Sequence, residues 1–160
     1  MSSAEPSLTV LPEEILTTHQ PRARWIWSRP DEPAPVNRFT CFRRVVEIQE
    51  GLAQEPLYFA ANSNAQLWIN GHCLRRKVSR FHEFNITAER VHAAPYLRCG
   101  SNVIVVLHHN WGPVQTFQRS ANTQACLWLE APWVKSDQSW RWQEVAQFLP
   151  HHEQIQGIFN

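Results

Sequence analysis

One loop holds the residue types best suited to recognition chemistry. Between Asn110 and Thr123 lie Trp111, Gln115, Phe117, Gln118 and Arg119. The two rings offer flat apolar faces, and the amides and guanidinium offer directed hydrogen bonds. A sugar needs both, because its C–H face stacks on a ring while its hydroxyls must each find a partner. Loops at the end of a sheet scaffold are a common place for such groups. The plainer reading tucks Trp111 under its own loop and leaves Arg119 in solvent. Trp68 is a separate case. It alternates with Leu67 and Ile69, so if those two face a core, its indole points the other way. There it can stack on a sugar, or be covered by a neighbouring domain.

Other chemistries find less support. A hydrolase needs two carboxylates across one bond, about 5–9.5 Å apart. Glu47, Glu83, Glu89 and Glu130 are scattered singly over the body of the chain and read as solvated edges or ion-pair partners. There is no G-x-S-x-G elbow, and five glycines in 160 residues leave no phosphate-cradling loop. His108 and His109 are adjacent on an expected strand, so they face opposite sides and do not share a metal. Cys41, Cys73, Cys99 and Cys126 form no C-x-x-C pair, so no zinc site is expected. No cofactor is expected either. Arg75, Arg76, Lys77 and Arg80, near Phe81 and Trp68, form a basic run that resembles a nucleic-acid platform. A net charge of only +1 gives no field to support it, so no nucleic-acid partner is expected.

The elements that must position these residues read as strands. Phe39–Glu50, Leu57–Ala61, Gln66–Ile69, His72–Val78, Phe81–Ile86, Val103–His108, Gln124–Leu129 and Ser139–Gln143 are short and rich in β-branched or aromatic residues. Asn70-Gly71 supplies the two positive-φ positions of a type I′ hairpin turn. Val103–His108 is apolar on both faces, as a central strand is. A helical turn is expected within Ala88–Leu97. Trp25 and Trp27 should share one face of an opening strand, and Trp140 and Trp142 one face of the closing strand, all four serving mainly core and terminal packing. The expected class is all-β: a single antiparallel β-sandwich of jelly-roll type. Its boundaries are an arm over residues 1–22, the sandwich over 23–145 and a tail over 146–160. No basic start precedes an apolar run and no segment has the length of a membrane span. The expectation is therefore a cytoplasmic protein with reduced thiols and no membrane partner.

Taken in order, ARWIW, a proline-rich loop, FTCFRRVVEI, ANSNAQLWING, GSNVIVVLHHNWG and SWRW resemble the N-terminal galactose-binding-like β-sandwich of bacterial α-L-rhamnosidase-like glycoside hydrolases. The resemblance covers about residues 23–145. It implies a non-catalytic accessory domain that packs on or orients a catalytic part, whose carboxylates sit in a separate helical barrel. The implied partner is that following catalytic domain, in cis or as a separate chain. The tail then leads toward it. The alternative is a carbohydrate-binding module for rhamnose- or galactose-containing saccharides through the Trp111–Arg119 loop. A third is an independent small enzyme. Leu74–Val78 departs from the family, which often has a Gly-Pro stretch there. Some related domains bind rhamnose through calcium. Asp31 and Asp137, the two aspartates, are too far apart in sequence to suggest that here.

Overall fold

The computed structural model describes residues 22–29, 31–32, 35–75, 88–110 and 126–145. Strand β1 runs Arg38–Ile48, β2 Leu57–Ala61, β3 Asn64–Ile69, β4 His72–Arg75 and β5 Glu89–Val91. Then follow β6 Gly100–Asn110, β7 Leu127–Ala131, β8 Val134–Lys135 and β9 Arg141–Glu144. They form two antiparallel sheets, one ordered β4-β3-β6-β1-β9 and the other β5-β2-β7-β8. The expected antiparallel sandwich is what forms.

The long pair β1–β6 organises the larger sheet. Its ladder keeps one register from Arg38↔Asn110 to Ile48↔Gly100. That continuous pairing is why β6 extends beyond its apolar run at both ends: its polar ends are held by β1 rather than by their own propensity. Ile104 and Val106 point inward beside Phe42 and Val46 of β1 and Leu67 and Ile69 of β3. They meet Leu57, Phe59, Leu127 and Leu129 of the smaller sheet, all with negligible exposure. This one cluster is the main source of burial energy, at about 1.5–3 kcal/mol per large apolar side chain.

The Asn-Gly hairpin has the expected geometry, with φ of 51° at Asn70 and 84° at Gly71. Its asparagine does more than turn the chain. The Asn70 amide donates to Asn102 Oδ1 at 2.8 Å, and Asn70 Oδ1 accepts from the Val103 N–H at 2.9 Å. Asn102, fully buried, also accepts from the Arg98 N–H and donates to the carbonyls of Arg98 and Gly100. The two motif asparagines therefore tie the β3–β4 turn to the entrance of β6.

Several local expectations are corrected. Residues 23–27 form no strand; one bridge joins Ile26 to Leu127, so the expected alternation fails and Ile26 and Trp27 both pack against the core. Trp140 precedes β9 and turns inward, its indole N–H donating to the Lys135 carbonyl at 2.9 Å. It is 6% exposed, whereas Trp142, in register with inward Phe42 on edge strand β9, is 46% exposed, so only Trp140 serves the core. Strand β5 was not expected, because three residues give no periodicity to read. The helical turn is a 3-10 turn at Ala94–Tyr96, where Pro95 fits without an N–H. All four cysteines are free thiols. Replacing Trp140 by alanine should cost about 3–5 kcal/mol in urea unfolding, and Trp142→Ala about 1 kcal/mol or less. Equal losses would mean that Trp140 is not a core residue.

Candidate functional site

Trp111, Gln115, Phe117, Gln118 and Arg119 lie outside the described residues, as do Arg76, Lys77, Arg80, Phe81 and Glu83. What the structure describes is the part of the sandwich where the chain enters and leaves this segment. Chain leaves β6 at Asn110 in the larger sheet and re-enters at Cys126, before β7 of the smaller one. Asn110 and Cys126 thus stand at one end of the core.

That end is polar beneath and aromatic at its sides. Alternation along β6 turns His108 and Asn110 inward, where they are 0% and 2% exposed. His108 Nε2 contacts the buried Asn62 carbonyl. A carbonyl only accepts, so Nε2 carries the proton. Its Nδ1 is buried without a hydrogen-bond partner among the described residues. The Asn62 N–H in turn donates to the Cys126 carbonyl at 2.9 Å, closing β2 onto the start of β7. Trp27 covers the site, its ring 5.3 Å from His108 edge-on and 6.0 Å from Phe42. Burial lowers the His108 pKa from 6.5 to about 4, with His109 pushing the same way and the Asn62 and Cys126 backbones opposing.

His109 faces the other side of the sheet. It stacks on Phe39 with ring centres 3.8 Å apart and holds Asn37 Oδ1 at 2.8 Å. Burial lowers its pKa to about 4 as well. Both imidazoles are therefore neutral near pH 7. At the rim, Glu144 takes Arg29 at 2.8 Å and Arg38 at 3.6 Å, while Glu32 bridges the same two arginines more loosely. These pairs are partly solvated and contribute little each.

The arrangement suits binding better than bond cleavage. Burial raises the Cys126 thiol to about 11, so it is no thiolate nucleophile. Glu89 and Glu130 are both only 5% exposed, yet they lie on opposite faces of the smaller sheet. Glu89 pairs in register with inward Phe59, and Glu130 with outward Tyr58. Each is ion-paired, Glu89 with Arg75 at 2.6 Å and Glu130 with Arg22 at 3.7 Å, and Glu130 also accepts from the Ala23 N–H. They cannot flank one bond. Among the described residues no three His, Cys, Asp or Glu side chains gather as a metal site, and no helix is long and apolar enough to cross a membrane. Arg75, the described member of the basic run, is engaged with Glu89 rather than presented for phosphate.

Trp68 stands where alternation puts it. Leu67 and Ile69 are fully buried, and Trp68 lies half-buried on the outer face of the larger sheet, opposite Val105. That face continues through Val103, Leu107, Cys41 and Val45 in register across β6 and β1, with Val45 40% exposed. The apolar strip is interrupted on the same face by exposed Arg43 beside Val105 and by Gln66 beside Leu107.

No protein-family model and no curated protein matches the chain. Solved structures do. The GH78 family rhamnosidase of Bacillus sp. GL1 superposes with a TM-score of 0.70 at 24% identity, over 78% of this chain and 13% of that one. The fold is that of a small sandwich within α-L-rhamnosidases. The Streptomyces avermitilis α-L-rhamnosidase solved with L-rhamnose matches over 84% of this chain and 14% of its own, with TM-score 0.58 and 16% identity. A lectin of Pleurotus ostreatus matches at TM-score 0.53 and 18% identity, over 77% of this chain and 35% of the lectin. The chain spans about one-seventh of the length of these rhamnosidases.

Proposed function

We propose that this chain is a non-catalytic accessory domain of an α-L-rhamnosidase-like glycosidase, packing on its catalytic part. The observation that carries the reading is the match to most of this sandwich and to so small a share of the rhamnosidases. The outer face of the larger sheet supplies a docking surface. Trp68, Val103, Val105, Leu107 and Val45 bring apolar area to a side that water would otherwise hydrate, and such patches mark interaction sites. The occupant is the catalytic portion of the same or a partner chain. Isolated, the chain should self-associate in sedimentation velocity runs. Val45→Asp, at an exposed position, should leave it monomeric with an unchanged melting temperature. A wild-type chain that stays monomeric at all concentrations would remove the docking face.

A second reading, carbohydrate binding through the Trp111–Arg119 loop, is favoured by the lectin's shared fold and by the polar and aromatic groups near Asn110 and Cys126. Calorimetric titration with rhamnose, galactose and rhamnose-containing oligosaccharides, with and without calcium, tests it. Saturable heat that vanishes in Trp111→Ala is the result expected of a binding module. Absence of heat with every sugar leaves the docking role alone.

A further inference from the structure

Strand β9 pairs with β1 only from Thr40 to Arg43, so among the described residues the rest of β1 has no strand beside it on that edge. A cleft of about 230 Å³ opens there against the β7–β8 turn, lined chiefly by Arg22, Arg44, Val46, Trp133, Lys135 and Asp137. It lies at the opposite end of β7 from Cys126.

Its chemistry is two-sided. Trp133 and Val46, both 8% exposed, supply an apolar floor. The Trp133 indole N–H is buried with no acceptor among the described residues. The rim holds three cations and one carboxylate. Glu130 at 3.7 Å partly offsets Arg22, and Arg44 is fixed by donating to the Ser139 carbonyl at 2.8 Å. Lys135 is exposed. Asp137 stays ionised: burial alone would raise its pKa, but hydrogen bonds from Ser139 and the charges of Arg44 and Lys135 hold it below the usual value. The cleft is therefore cationic above and apolar below. It is smaller than the ~300–1,000 Å³ of drug-sized sites, in the range of a single ring.

We propose that this cleft binds one acidic sugar residue of the uronic-acid type, its C–H face on Trp133 and Val46 and its carboxylate between Arg44 and Lys135. A planar guanidinium held at its other nitrogen is pre-set for a carboxylate, and a bare inorganic anion would leave the apolar floor unused. A neutral sugar would forgo the charge-assisted hydrogen bonds that Arg44 and Lys135 offer a carboxylate.

The test is NMR titration of the full chain with glucuronate, galacturonate, methyl galactoside and inorganic phosphate. One uronate should saturate at least about tenfold more tightly than methyl galactoside, a ratio set by its charge-assisted hydrogen bonds. Rising salt should weaken it. Lys135→Gln, at an exposed position that leaves folding intact, should lower uronate affinity, and Trp111→Ala should not. No saturation by either uronate would overturn the proposal. So would equal binding of methyl galactoside or phosphate, an unaffected Lys135→Gln, or loss of binding in Trp111→Ala. None of these outcomes touches the docking role, which uses the outer face of the sheet.

Discussion

Acidification from pH 7 to pH 4 should strip the domain of a large part of its stability, chiefly through one buried histidine. In the folded chain His108 stays neutral down to about 4, while in the unfolded chain it takes a proton near 6.5. Between those values the unfolded state binds more protons, so stability rises with pH there. The contribution is whole above about 6.5 and is lost progressively as pH falls to about 4. A shift of that size corresponds to roughly 3 kcal/mol, against a typical total of about 5–15 kcal/mol. His109 acts in the same direction, by less because it is more exposed. Urea midpoints measured from pH 7.5 to 4.5 should fall steeply below pH 6.5, and His108→Gln should flatten that slope. A midpoint independent of pH over this window would contradict the buried, neutral imidazole.

The second large effect is expected at Asn102. Its side chain makes two donations and two acceptances in a site without solvent, to Arg98, Gly100 and Asn70. At about 0.5–1.5 kcal/mol per bond, Asn102→Ala should cost about 2–4 kcal/mol, more than the same change at most surface asparagines. Asn70→Ala should cost a similar amount, because it removes the bond to Asn102 together with those to Val103 and Tyr96 and puts alanine at a positive φ. In the double variant the losses should fall short of additive, since the two side chains share a bond. Additive losses would mean that the hairpin and the entrance of β6 are held independently.

These two sites show how far the amino-acid sequence could be read. Strand β2 coincides with Leu57–Ala61 because its apolar run is bounded by Pro56 on one side and by polar residues on the other. The hairpin was legible because Asn-Gly has few other uses. That Asn70 and Asn102 bond to each other was not, because the contact joins residues 32 apart and only β3–β6 pairing brings them together. The tryptophans were misplaced for a related reason. Alternation assumes a strand, and both Ile26–Trp27 and Trp140 sit where the chain departs from one. His108 and His109 were placed on opposite faces correctly, but the depth of His108 depends on Asn62, Cys126 and Trp27, which arrive from three other segments. The buried acids Glu89 and Glu130 likewise owe their burial to Arg75 and to the stretch at Arg22–Ala23. The uronate cleft had no local signal at all, since its walls come from β1, the β7–β8 turn and Arg22.

The most direct test of the accessory role is recovery of activity. The chain, tagged at one end and purified gently from its native cells, is assayed on an aryl α-L-rhamnoside. Rhamnosidase activity that is retained with the wild-type chain and lost with Val45→Asp is the expected result. A chain that folds, carries its outer face intact and retains no rhamnosidase activity would contradict the proposal.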